Sequence, residues 1–126
     1  MLKVVIVEDE ELIRTGLEYM IDWIKMDCTL SGVAKDGAEG LTMICEKHPD
    51  VVITDIRMPV MDGLTATRKI RESGREDGKT VPIVAMTANV FEEDVRKSLD
   101  AGMDAHLSKP IEITQMYAVL DSMIYR

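Results

Sequence analysis

At 126 residues and 46% hydrophobic content, the chain has room for one compact domain of ordinary size and not for two. Fifteen basic against 23 acidic side chains give a net charge of -8, which repels nucleic-acid phosphates, and the longest apolar runs fall far short of a membrane span. Direct nucleic-acid binding and membrane insertion are therefore not expected, and with Met1 leading straight into an apolar strand-like run the default location is the cytoplasm.

In chain order, Lys3 to Val7 reads as a first β-strand, almost continuously apolar as a buried parallel strand should be. Ile13, Leu17, Met20, Ile21 and Ile24 then mark one face of a helix. Thr29 to Ala34 is a second strand, and Asp36 followed by Glu39 places an N-cap and an N3 acceptor where the second helix should begin. Cys28 and Cys45 form no CxxC pair and each falls in an apolar stretch, so both are expected as reduced core thiols. Val51 to Thr54 is the third strand, and a helix starts near Leu64 after Asp62-Gly63. Ser73 to Thr80, polar and with two glycines, reads as a surface loop. Ile83 to Met86 is the fourth strand, Asn89 followed by Glu92 opens the fourth helix, and Ala105 to Leu107 is the fifth strand. The last helix carries Ile113, Met116, Tyr117, Leu120, Met123 and Ile124 at helical spacing. Five βα units imply right-handed crossovers and an α/β domain over 1-126: a flavodoxin-like (βα)5 fold, its parallel five-stranded sheet in the order 2-1-3-4-5 with helices on both faces.

In such a sheet, ligands bind outside the carboxyl ends of the strands. After strand one come Glu8-Asp9-Glu10-Glu11, after strand three Asp55, after strand four Thr87, and after strand five Ser108-Lys109-Pro110. Glu8, Asp9 and Asp55 brought within a few ångströms would repel one another, and a hard, oxygen-seeking dication, Mg²⁺ or Mn²⁺, relieves that. A carboxylate can attack phosphorus to form an acyl phosphate if cations neutralise the transferring oxygens, and the metal and Lys109 supply them. Thr87 adds a hydroxyl donor able to sense a phosphoryl oxygen present only in the modified state.

Val4-Val5-Ile6-Val7-Glu8-Asp9-Glu10, Asp55-Ile56-Arg57-Met58-Pro59-Val60-Met61-Asp62-Gly63, Ala85-Met86-Thr87-Ala88 and Ser108-Lys109-Pro110 resemble bacterial response-regulator receivers over essentially the whole chain. The resemblance implies phosphorylation of Asp55 by the phosphohistidine of a sensor histidine kinase or a histidine phosphotransfer domain. It implies Mg²⁺ held by Asp9, Asp55 and the Arg57 backbone carbonyl, with Glu8 acting through water. It also implies Lys109 paired with the phosphoryl group, a cis Lys109-Pro110 bond, and Thr87 swinging toward the phosphate on activation. A receiver catalyses only its own phosphorylation and dephosphorylation. Its output face, by the same likeness, is the fourth helix, fifth strand and fifth helix, including Phe91 to Asp100 and Ile113 to Ile124, through which a phosphorylation-dependent dimer or another partner docks.

Two positions depart from the family pattern: Glu8 stands where many receivers have Asp, and His106 where a switching Tyr or Phe is usual. His106 reads either as a pH-sensitive rotamer switch or as a strand-end surface residue, with the second favoured. Arg57 and Asn89, two residues beyond Asp55 and Thr87, are expected to overhang the site and tune the phosphoryl lifetime. His48 is assigned no function, and Met58 and Met61 are expected to shape the backbone beside the site. The first half, with Ile21-Asp22-Trp23, is similar to receivers attached to AraC-type DNA-binding domains. The second half, through Met86-Thr87-Ala88-Asn89 and Ala101 to Pro110, is similar to receivers of hybrid kinases.

Three other functions fit parts of this pattern. A haloacid dehalogenase-like phosphohydrolase needs a second acid two residues beyond the nucleophile, where this chain has Arg57. A flavodoxin-like electron carrier needs a donor-lined phosphate loop after strand one, which Glu8 to Glu11 would oppose. A degenerate receiver acting only as an interaction module would lack part of the acidic, hydroxyl and lysine set, and none is missing.

Overall fold

The computed structural model describes residues 2–56, 61–73, 76–87, 92–109 and 111–124, excluding the side chains of 76, 77, 92–95 and 124. Arg57, Met58, Asn89, Phe91 and Pro110, and with them the expected cis bond, lie outside the described residues.

The elements run β1 Leu2–Val7, α1 Glu11–Met20, β2 Cys28–Ala34, α2 Gly37–Lys47, β3 Val51–Asp55, α3 Gly63–Arg71, α4 Glu76–Thr80, β4 Ile83–Thr87, α5 Glu92–Ala101, β5 Ala105–Ser108 and α6 Ile113–Ile124. The strands form one parallel sheet in the order β2-β1-β3-β4-β5, as expected.

The central strands β3 and β4 are buried at every position because both faces are covered. Alternate side chains point opposite ways. Val4 and Ile6 of β1, Ile53 of β3 and Met86 of β4 pack with Leu17, Met116 and Leu120, beneath α1 and α6. Val5, Val7, Val52, Ile83 and Ala85 turn to the other side and meet Ile44 of α2 and Ile70 of α3. Two of the expected starts are visible in detail: Asp36 accepts from the Glu39 amide at 2.8 Å, and Asp62 accepts from the Thr65 amide at 2.7 Å.

Three local expectations need correction. The first helix stops at Met20: Ile21 is extended, and the Tyr117 hydroxyl accepts the Asp22 amide at 3.1 Å. Ile21 still reaches the core, but Met20 at the end of the helix is 67% exposed, and Ile24 is 76% exposed because the helical periodicity runs on past the helix that should carry it. Cys45 is exposed while Cys28 is buried, because Ile44 takes the inward position on α2. The stretch read as a loop contains the short helix α4.

A charged knot ties the amino-terminal edge of the sheet together. The Arg71 guanidinium at the end of α3 donates to the carbonyls of Gly102 (2.7 and 3.0 Å), Val81 (2.8 Å) and Gly78 (3.2 Å), and to Asp104 at 2.9 Å. The same Asp104 oxygen accepts the Ile83 amide at 2.9 Å, so one side chain fixes α3, the β4 approach and the β5 approach at once. Truncation would leave several half-buried carbonyls and a carboxylate without their donor. Arg71→Ala is therefore expected to lower unfolding free energy in urea by about 2–4 kcal/mol. A loss within about 0.5 kcal/mol would show the knot to be surface decoration.

Candidate functional site

Parallel pairing brings the ends of β1, β3 and β4 side by side: Val7 lies opposite Thr54, and Asp55 opposite Met86. Glu8 continues β1, its amide donating to the Ala34 carbonyl of β2 at 2.9 Å. Asp55 ends β3 and Thr87 ends β4, both buried. The Lys109 amide donates to the Thr87 carbonyl at 2.8 Å, which anchors the residue after β5 to β4.

The floor behind Asp55 demands glycine. Gly63 opens α3 so close to β3 that a Cβ there would overlap the Asp55 carbonyl oxygen, while its amide donates to the Ile56 carbonyl at 2.8 Å. Gly37 likewise meets the Met61 carbonyl, to which its amide donates at 3.0 Å, holding the end of the loop that follows β3 against the start of α2.

Carboxylate oxygens of Glu8, Asp9 and Asp55 can be chosen that all lie within 4.8 Å of one another. Lys109 closes the set, its Nζ 3.0 Å from Asp55 Oδ2 and donating to Glu8 Oε1 at 3.1 Å. Glu8 Oε2 lies 3.0 Å from the same nitrogen as an ion pair, yet it accepts no well-directed hydrogen bond among the described residues. Glu8 is wholly buried. Burial pushes its carboxyl up to about 7; the Lys109 hydrogen bond opposes this and the neighbouring Asp55 charge adds to it. Burial by itself would lower the Lys109 ammonium, but the hydrogen bonds and charges of Glu8 and Asp55 outweigh it and hold the group charged above its ordinary range.

These residues fit a dication. Three acidic oxygens converge, one of them buried without a directed donor, and a hard cation bound there would satisfy them and neutralise what a single ammonium leaves over. Sequence reasoning missed two features of this site. Arg14 donates from α1 to the backbone carbonyls of Glu8 (2.9 Å) and Asp9 (3.4 Å), pinning the acidic turn. The direct Glu8–Lys109 pair was the other, since Glu8 was expected to act through water; each depends on side-chain reach that linear spacing does not encode. His106 is exposed on the edge strand β5, beside a shallow cleft of about 310 Å³ shared with Ser108, Gln115 and Val119. His48 caps α2 in the left-handed conformation.

The sequence profile of the response regulator receiver domain matches residues 4–121. The chain belongs to that family. This receiver is 37% identical over 123 residues to Probable histidine kinase 2 of Oryza sativa subsp. indica, a match covering 86% of the chain and 12% of that protein. It is 33% identical over 110 residues to the sensor histidine kinase RcsC of Escherichia coli, covering 87% and 11%. The chain thus spans about an eighth or less of the length of these relatives. Among solved structures it resembles the receiver domain of a sensor histidine kinase from Pseudomonas aeruginosa that has a magnesium ion coordinated in its active site cleft. The two share 31% identity and a TM-score of 0.86, over 99% of this chain and 98% of that one. Among the described residues no helix of this receiver is long and apolar enough to cross a membrane.

The raised Glu8 carboxyl has a definite linkage sign. A group that holds its proton to about pH 7 when folded and to about 4.5 when unfolded stabilises the fold below about 4.5, and that contribution is lost as pH rises toward 7. In metal-free protein, wild-type stability relative to Glu8→Gln is expected to fall from pH 5 to 7, by up to about 2 kcal/mol. Added Mg²⁺ should flatten that slope, and parallel pH profiles for the two proteins without metal would refute it.

Proposed function

We propose that this chain, over 1-126, is the phospho-accepting receiver of a two-component phosphorelay, and that Asp55 is its acceptor. The observation that carries the reading is the buried Asp55 carboxylate with Lys109 Nζ at 3.0 Å and two further carboxylates beside it, at the strand ends where this fold class binds ligands. The donor would be the phosphohistidine of a sensor histidine kinase or histidine phosphotransfer domain. An Asp55 oxygen attacks phosphorus, the P–N bond breaks as the P–O bond forms, and the imidazole leaves with its electron pair and is protonated. Asp9, Asp55 and the Arg57 carbonyl would hold Mg²⁺ or Mn²⁺, with Glu8 adjoining. When bound, the ion neutralises charge on the transferring oxygens.

Lys109 supplies the second positive charge and stays protonated throughout. Thr87 offers its hydroxyl to a phosphoryl oxygen and, with His106, would bias the switch of the α5-β5-α6 face, where a dimer or output partner docks. Arg57 and Asn89 would set the phosphoryl lifetime. The chain turns over no separate substrate, works in the cytoplasm, and contacts neither nucleic acid nor membrane itself. A haloacid dehalogenase-like phosphohydrolase is not favoured, since Arg57 stands where its second acid belongs, and a degenerate module is not favoured by a complete site.

The donor also needs somewhere to sit. Leu12, Ile13, Gly16, Leu17, Met20 and Ile111 help line a groove of about 260 Å³ that reaches Lys109, with Leu12 87% exposed. An apolar helix face that reaches the lysine paired with Asp55 suits the histidine-bearing partner, which must come within bonding distance of Asp55.

Incubation with Mg²⁺ and acetyl phosphate should add one phosphate to wild type by intact mass and none to Asp55→Asn. A missing adduct, or one that survives in Asp55→Asn, defeats the assignment. Leu12→Glu and Met20→Glu are expected to slow transfer from a phosphorylated kinase that serves wild type by about tenfold or more each, while sparing acetyl phosphate. Equal losses with both donors would place the defect in the site rather than in docking.

A further inference from the structure

In the strand order β1-β3-β4-β5, the end of β1 and the end of β5 stand three places apart, nominally about 14 Å at ordinary strand spacing. Lys109, its amide anchored to the Thr87 carbonyl of β4, reaches Asp55 and Glu8, where its ammonium sits 3.1 Å from Oε1 and 3.0 Å from Oε2. Glu8 is itself immobilised: its amide is bonded to Ala34, its carbonyl to Arg14, and its Oε1 also accepts the Glu10 amide at 3.2 Å. A flexible four-carbon lysine stem thus ends between a rigid carboxylate and the acceptor.

We propose that Glu8 is a positioning residue for Lys109, holding the ammonium over Asp55 Oδ2 from the far side of the site through its length as well as its charge. A charge already fixed at the acceptor needs little reorganisation when the phosphoryl group arrives. Aspartate at position 8 keeps the charge but is one methylene shorter, leaving Lys109 anchored by Asp55 alone. Glutamine keeps the reach and one acceptor oxygen but loses the charge. Reach and charge are therefore separable. The consequence for reaction rate rests on Asp55 being the acceptor; the ammonium geometry does not.

The decisive measurement is the ¹⁵Nζ ammonium spectrum of metal-free protein, in which a held lysine is protected from solvent exchange. Wild type is expected to show a protected Lys109 signal, assigned by its absence in Lys109→Gln. Glu8→Gln should retain that signal and Glu8→Asp should lose it. With acetyl phosphate at saturating Mg²⁺, Glu8→Asp should then be phosphorylated on the order of tenfold more slowly than wild type, and Glu8→Gln by a smaller factor. Protection in Glu8→Asp equal to wild type, loss in Glu8→Gln with retention in Glu8→Asp, or an unchanged Glu8→Asp rate each overturns the proposal. An unprotected Lys109 in wild type overturns it even if a variant fails to fold. A protected signal in a wild type that takes up no phosphate would instead sink the acceptor assignment and leave the positioning intact.

Discussion

Three carboxylates at the open end of a parallel sheet are an electrostatic liability, and the Lys109 ammonium is what balances it in this structure. Its contacts to Asp55 and Glu8 span β5, β3 and β1, so one side chain couples three of the five strands at the end where chemistry is expected. A single positive charge against three acids is incomplete compensation, and the Asp55 charge adds to the burial that raises the Glu8 carboxyl. A hard cation bound there would relieve that repulsion.

The scaffold is divided accordingly. At the amino-terminal edge, Arg71 saturates carbonyls from α4, the β4 approach and the α5–β5 turn, leaving little freedom there. At the carboxyl edge the loops carry charge and the glycines that let backbone approach backbone, as at Gly63 behind Asp55. The Arg71 knot lies at one end of the sheet and the acidic cluster at the other, a separation open α/β sheets permit because the strands between them are buried on both faces.

The surfaces flanking the site differ in kind. Along α1, Leu12 and Met20 face solvent in an apolar groove that reaches Lys109. On β5, His106 faces outward over a shallower cleft with Gln115, so the position a ring is expected to use for switching holds a smaller, titratable side chain at the surface.

The sequence by itself determined the five strands, the cap at Asp36, a helix start after Asp62-Gly63, and the acidic, hydroxyl and lysine positions at the strand ends. Each of these rests on local chemistry or on a two-residue or 3.6-residue period that a linear chain displays directly. Tertiary structure alone decided where α1 stops, because the Tyr117 hydroxyl that captures the Asp22 amide lies 95 residues away. It alone turned Cys45 outward, set the Arg71 knot across 31 residues to Gly102, and joined Glu8 to Lys109 across 101. These are contacts of reach and direction between elements brought together by folding, and no spacing along the chain carries that information.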